Sequence, residues 1–222
     1  MPIFGRDPQE CFEQFIGHLR GLVAATITPT RPLIARSPED NQRLRILSFA
    51  PKNGNSSVPI DTSYGRLHLS LAQEIYAEEQ SDEPSDRRFR LTSLRYWYRL
   101  LQRPDPKEQA LLRWEYDKKL RVGSNTCRHH IQQAATLKIP SLEAELDLNK
   151  LHLPSGWVTI EELIRFIICE LHFKAPCGDE WPEILEASER KFYEEFTSKR
   201  YIPPRDRPQP ERQSKGAKRR GK

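Results

Sequence analysis

The chain has 222 residues with 36% hydrophobic and 30% charged side chains, and its formal net charge is +5. A chain of this length can bury a substantial core as one domain, and it is too apolar to be disordered throughout. No apolar run approaches the roughly 18 residues of a membrane-spanning helix, and the N-terminus lacks the pattern of a secretory signal. We therefore expect a cytoplasmic protein whose four cysteines are reduced thiols.

The charge is unevenly distributed along the chain. Residues 87–121 hold eleven basic and four acidic side chains, and residues 200–222 hold nine basic and two acidic ones. Residues 143–195, in contrast, hold five basic and thirteen acidic side chains. Segregated charge of this kind favours either an acidic partner such as a nucleic acid or packing of the acidic part against the basic part.

An amphipathic helix is predicted near the N-terminus. Asp7 can serve as its N-cap, Pro8 suits the first helical position, and Glu10 completes a capping-box pattern. Apolar residues then recur at helical spacing to about Ala25. One face of this helix should therefore be buried.

Two strands are predicted between this helix and the centre of the chain. Residues 26–43 contain three prolines, which indicates an extended connection. Residues 44–50 have strand composition, and residues 51–57 are rich in turn-forming residues. Residues 65–72 alternate between apolar and polar side chains, which is typical of a strand with one buried face. Whether residues 72–79 extend that strand or form a helix stays open.

Three further strands are predicted at residues 90–100, 110–117 and 128–134, with turn-forming residues between them. This spacing favours an antiparallel meander. Because side chains alternate between the faces of a strand, one face should be apolar and meet the core, and the other should be polar. The predicted core face of the first two strands holds Leu94, Tyr96, Tyr98, Leu100, Leu112, Trp114 and Tyr116, and the polar face holds Arg95, Trp97, Arg99, Arg113, Glu115 and Asp117.

Two more helices are predicted in the C-terminal part of the chain. Thr159 and Glu162 form a second capping-box pattern at the start of a broadly apolar run. Asp179 and Pro182 open a third helix. From residue 203 onward, Pro, Arg, Gln, Lys and Gly replace apolar residues, which predicts a disordered basic tail over residues 203–222.

These elements predict an α+β fold in a single domain over residues 1–202. The domain would contain a mainly antiparallel meander sheet of about five strands and an N-terminal helix. The two C-terminal helices would cover one face of the sheet, because helices segregated to one side of an antiparallel sheet are typical of this class.

The polar face of the meander carries the strongest candidate for catalysis. Arg113 and Glu115 share this face, and the strand register decides whether His129 or His130 joins them. Histidine titrates near neutral pH and arginine binds phosphate through two hydrogen bonds, so this set suits metal-independent cleavage of RNA. Neighbouring polar side chains that could take part are Asp117, Gln132 and His68. The carboxylates could instead hold a divalent metal, and the simplest interpretation is a solvated face with cross-strand ion pairs.

Binding of RNA or DNA is the leading functional prediction. The basic meander offers cations that could follow a phosphate backbone and a tryptophan that could stack on a base. The predicted contact residues are Arg95, Trp97, Arg99, Lys118, Lys119 and Arg121 in the meander, and Lys218, Arg219 and Arg220 in the tail. The tail would add nonspecific electrostatic affinity, or would serve only for solubility or contact with a partner.

Other kinds of site find less support in the sequence. Cys169, His172 and Cys177 offer three zinc ligands within nine residues, but structural zinc normally needs four, so we interpret them as core and helix-end residues. The common nucleotide-binding and hydrolase motifs are absent, and we expect neither a cofactor nor a metal. The competing hypothesis is a noncatalytic adaptor that binds a protein partner through its acidic C-terminal helices or its basic tail.

Overall fold

A computed structural model of the chain describes residues 3–105, 107–118, 128–139 and 144–197. The predicted basic tail at residues 203–222 lies outside the described residues, and so do Lys119 and Arg121. The predictions made for them therefore stay predictions.

Three α-helices and eleven strands are present in the described residues. The helices are α1 (Pro8–Thr26), α2 (Ile160–Cys169) and α3 (Trp181–Lys191). The strands are β1 (Phe4–Gly5), β2 (Leu33–Arg36), β3 (Leu44–Phe49), β4 (Ser57–Thr62), β5 (Gly65–Glu79), β6 (Phe89–Leu101), β7 (Leu112–Asp117), β8 (His129–Gln133), β9 (Thr136–Ile139), β10 (Ala144–Asp147) and β11 (Leu153–Pro154). A π-helical turn, Phe192–Thr197, follows α3.

The predicted caps begin α1 and α2. Asp7 Oδ1 accepts a 2.9 Å hydrogen bond from the backbone N–H of Glu10. The Glu10 carboxylate does not return to Asp7, because it accepts from the backbone N–H of Arg6 at 2.8 Å instead, so the first capping box is only half formed. At α2 the box is complete: Thr159 Oγ1 and the Glu162 carboxylate accept from each other's backbone N–H at 3.1 and 3.0 Å.

All strand pairs within the described residues are antiparallel, in agreement with the predicted sheet type. Nine strands form one large sheet in the order β11-β8-β7-β6-β5-β3-β2, with β1 beside β6 and β4 beside β5. β9 and β10 form a separate hairpin. The expectation of about five strands is therefore too low.

The additional strands are short or contain proline, which hid them from the sequence pattern. β2 lies between Pro32 and Pro38, within the segment predicted as an extended connection. β4 contains Pro59 and pairs only with β5 among the described strands. An edge strand tolerates proline, since its outer side needs no backbone donor. Residues 72–79, which the sequence left open, continue β5 as a strand.

The core lies on one side of the large sheet. The predicted core face of the meander is confirmed except at Leu94, which lies outside the core cluster because a bulge interrupts the alternation of β6. Tyr96, Tyr98 and Trp114 are buried in one apolar cluster with side chains of all three helices. α1 packs on β5 and β6, and α2 meets β7 through an edge-to-face contact between Phe166 and Trp114. α3 packs mainly against α1 and α2. The predicted helix layer is thus corrected: α1 shares the sheet with α2, and α3 lies against these two helices.

A buried polar network links the three helices. Ser188 of α3 donates its hydroxyl to Glu161 Oε1 of α2 at 2.6 Å. His18 Nε2 of α1 lies 3.0 Å from Ser188 Oγ and 3.8 Å from Glu161 Oε1. Burial alone would raise the pKa of Glu161, yet hydrogen bonds with His18 and Ser188 hold it below its ordinary value. The helices are therefore held together by charge and hydrogen bonds as well as by apolar packing.

Candidate functional site

The face of the sheet opposite the core, here called the outer face, brings the predicted polar side chains together. Its pairs across β6 and β7 are Arg95 with Asp117, Trp97 with Glu115, and Arg99 with Arg113. Its pairs across β7 and β8 are Glu115 with His130, and Arg113 with Gln132. The alternation predicted from the sequence is therefore confirmed at these positions of the three strands.

Glu115 lies at the centre of this surface and bridges two basic side chains. Its Oε1 is 3.1 Å from Arg113 Nε, and its Oε2 is 3.1 Å from His130 Nε2. His130 is only 8% exposed, whereas Glu115 and Arg113 are about one-third exposed. The carboxylate therefore fixes the imidazole of His130 while remaining accessible to a ligand itself.

Arg99 and Arg113 lie directly opposite each other on neighbouring strands, a position in which like charges repel. Burial lowers the pKa of the Arg99 guanidinium, and the charge of Arg113 lowers it further, while Glu115 opposes this effect. Arg99 also donates to the backbone carbonyl oxygen of Glu108 at 3.2 Å. Arg113 thus has its ion-pair partner in Glu115, whereas Arg99 is held by the carbonyl oxygen of Glu108.

His152, which the sequence analysis did not single out, completes the site. Its ring centroid lies 4.7 Å from that of His130, and its Nε2 is 3.3 Å from Gln132 Nε2. Burial lowers the pKa of His152, as do the charges of His130 and Arg113. Pairing of β11 with β8 brings His152 beside His130. No local sequence pattern around His152 predicts this contact. We call Arg99, Arg113, Glu115, His130, Gln132 and His152 the polar cluster.

The surface beside the polar cluster is electrically more balanced. Arg95 donates to Asp117 at 2.9 Å and lies 4.0 Å from Glu74. Trp97 lies between Arg95 and Arg99 along β6 and is partly exposed. Because its charge is already paired, Arg95 is less available to a phosphate than the sequence alone indicated.

The structure resolves the ambiguity between the adjacent histidines. His129 lies on the core face, where its ring stacks on Tyr116 with centroids 4.5 Å apart. Burial lowers the pKa of His129, and the charges of Arg128 and His130 lower it further. His129 is therefore separated from the polar cluster by the thickness of the sheet. His68 lies on the outer face of β5 opposite Leu101, beyond the row that contains Arg99.

Only part of the predicted nucleic-acid contact set lies on the outer face. Lys118 is exposed but borders a cavity on the core side of the sheet. The remaining predicted contacts, Lys119, Arg121, Lys218, Arg219 and Arg220, lie outside the described residues.

The described part of the chain offers no group of three or more His, Cys, Asp or Glu side chains placed to hold a metal ion. Cys169 and Cys177 are free thiols, and Cys169 is exposed, so its interpretation as a core residue is wrong. Of the helices that the structure describes, none combines the length and the apolar composition needed to cross a membrane.

Comparisons of the chain with protein-family models, with curated proteins and with solved structures gave no significant match. Functional inference therefore depends on the chemistry of the site itself.

Proposed function

We propose that the protein binds single-stranded RNA or DNA across the outer face of its sheet, with a phosphate held at the polar cluster. The observation that supports this proposal most strongly is the cross-strand pair of Arg99 and Arg113, which lie directly opposite each other and whose like charges repel. A phosphate placed between the two guanidinium groups would offset their repulsion and accept charge-assisted hydrogen bonds from both.

Trp97 supplies the second part of the proposed interface. It is next to Arg99 on the same face of β6, and its neighbour across the strand is Glu115. A partly exposed aromatic ring beside a cation can stack on one base while the adjacent phosphate meets the cation. Stacking accepts any base, so we expect binding with little sequence preference.

The proposal predicts that Arg99→Gln and Arg113→Gln each weaken RNA binding about tenfold, the effect of losing one charge-assisted hydrogen bond. Each variant should also reduce the slope of the logarithm of the binding constant against the logarithm of the salt concentration by about one, since one counterion fewer is released. The measurement is fluorescence anisotropy of labelled single-stranded RNA titrated with the full chain at about 50 and about 200 mM salt.

Arg66→Gln is the matched control for these variants. Arg66 is exposed, forms a 2.6 Å ion pair with Asp61, and lies in the hairpin of β4 and β5. The Arg66→Gln variant should leave the affinity for RNA unchanged. Equal affinities for all three variants and the unaltered protein would contradict the proposed interface, and an absence of RNA binding by the full chain would favour the adaptor hypothesis.

Phosphodiester cleavage is a second candidate function, and the neighbouring rings of His130 and His152 favour it. One neutral imidazole would take the proton of the RNA 2′-hydroxyl, whose oxygen then attacks phosphorus. The bond from phosphorus to the 5′-oxygen breaks, and the other, protonated imidazole gives that oxygen a proton. The products would be a 2′,3′-cyclic phosphate and a 5′-hydroxyl.

Gel analysis of the same RNA tests this chemistry. Replacing His130 or His152 with glutamine should slow cleavage by about a hundredfold, the range for one general acid or base. His129→Gln, on the opposite face, should retain cleavage. The corresponding DNA strand should bind but remain intact, since it lacks the 2′-hydroxyl. Cleavage of the DNA strand as well as the RNA would rule out the proposed pair of His130 and His152. Loss of cleavage only in His129→Gln would do the same.

A further inference from the structure

A cavity of about 410 Å³ lies on the core side of the sheet, where β6 changes neighbours. β1 pairs with residues 89–90 of β6, and β7 pairs with residues 95–100. The cavity borders the stretch between these two pairings and has the size of a small-molecule site. Its aromatic walls are formed by Phe15, Tyr116, Trp157, Phe192 and Tyr193.

Gln73 interrupts an apolar row on this side of β5. The neighbours in that row are Leu69, Leu71, Ile75 and Ala77. Gln73 is 5% exposed, and its Nε2 donates to Ser93 Oγ at 3.4 Å. Its Oε1 is buried without a hydrogen-bond partner among the described residues. A buried amide oxygen without a donor lowers stability, whereas leucine would carry no such cost. A ligand that brings a donor would satisfy this oxygen.

A β-bulge adds a second polar group to the same wall. Gln73 lies opposite Tyr96, but Ile75 lies opposite Ser93, so Leu94 is an extra residue in β6. Strict alternation from Tyr96 would turn Ser93 toward the outer face. The bulge instead turns Ser93 toward the core side, where it meets the Gln73 amide. The wall therefore carries two adjacent hydrogen-bonding side chains, Gln73 and Ser93, beside the apolar Ile75.

Two cations also border the cavity. Arg90 and Lys118 both line it, and both side chains are exposed to solvent. An anionic group at the mouth would therefore lie beside positive charge, while the remainder of a ligand would contact aromatic rings.

We propose that this cavity binds a small aromatic acid, a planar molecule with one anionic group and a hydrogen-bond donor attached to its rings. The rings pack against the aromatic walls, the donor binds Gln73 Oε1, and the anion lies near Arg90 and Lys118. This site is independent of nucleic-acid binding, because it lies on the opposite side of the sheet from the polar cluster.

Anilinonaphthalene sulfonate is a suitable probe, since it combines aromatic rings, an N–H donor and an anion, and it fluoresces when it leaves water. The full chain should bind it saturably. Its N-methyl derivative, which lacks the donor, should bind about tenfold more weakly, because Gln73 Oε1 then stays unpaired. Equal affinity for the two probes would overturn the proposal without any mutation.

Gln73→Leu tests the same bond from the side of the protein. It should weaken binding of the N–H probe about tenfold and leave binding of the N-methyl probe unchanged. It should also raise the thermal midpoint of the ligand-free protein, because the unpaired oxygen is removed. Unchanged affinity of this variant for the N–H probe would contradict a role of Gln73 in binding. A lower thermal midpoint would show that Gln73 stabilises the fold instead.

The double variant Arg90→Ala/Lys118→Ala tests the anion contact. It should weaken binding of both probes about tenfold. The matched control Arg36→Ala/Lys174→Ala removes two exposed positive charges that do not border the cavity and should have no effect. Equal effects of the two double variants would show that only net charge attracts the probe, which would overturn the proposed anion site.

Discussion

Replacing Trp114 with alanine is expected to lower the free energy of unfolding by about 3–5 kcal/mol, the range for deleting a large core aromatic side chain. Trp114 is 6% exposed and lies opposite Tyr98 and Ile131 on the neighbouring strands. Its ring centroid is 5.3 Å from that of Phe166, so it also joins the sheet to α2. Alanine would leave a cavity where β7 and α2 meet. Urea denaturation followed by circular dichroism measures the loss.

Trp97→Ala is the matched control for this prediction. Trp97 lies on the adjacent strand but on the outer face, and it is only partly buried. Its replacement should cost less than about 1.5 kcal/mol, since little core packing is lost. A larger loss at Trp97 than at Trp114 would mean that the two faces of the sheet have been assigned the wrong way round.

Replacing His18 with alanine is expected to lower the free energy of unfolding by about 1–3 kcal/mol, the cost of removing one partner from a buried polar group. Glu161 is buried, and its carboxylate has His18 at 3.8 Å and the Ser188 hydroxyl at 2.6 Å. Without His18 the carboxylate keeps one hydrogen bond and loses its basic neighbour. The control Arg190→Ala breaks an exposed pair with Glu186 and should cost less than about 1 kcal/mol. Equal losses in the two variants would contradict a stabilising role for His18 in this buried network.

The same network has a predictable dependence on pH. The pKa of Glu161 is lower in the folded protein than its ordinary value of 4.5. The unfolded chain therefore binds the proton more readily, and the contribution of Glu161 to stability is complete above pH 4.5 and falls as the pH drops below it. In His18→Ala this acid-dependent loss should be smaller, because a partner that lowers the carboxyl pKa is gone.

β7 connects the two proposed sites, because its side chains alternate between them. Arg113 and Glu115 point to the outer face and enter the polar cluster. Tyr116 points to the core side and forms part of the cavity wall. Both proposals therefore depend on the register of β7. A shift of this register by one residue would move each of these side chains to the opposite face of the sheet.

The regular parts of the fold were predictable because each rests on a local pattern. The three strands of the meander, with Trp114 and Tyr116 inward and Arg113 and Glu115 outward, follow from alternation alone. The starts of α1 and α2 follow from capping residues beside an amphipathic run. β2 and β4 were missed because the prolines that flank β2 and the proline within β4 are typical of a loop, and only pairing with a neighbour makes these segments strands.

Within the candidate site, strand alternation is enough to place Arg99, Arg113 and Glu115 on one face, since it is a property of the backbone. The fold as a whole places His130 rather than His129 beside them and brings His152 against His130. The fold also leaves the oxygen of Gln73 without a partner among the described residues, beside a cavity. The physical reason is the same in each case: strand register and the contacts between distant segments depend on the packing of the whole chain, which no local pattern records.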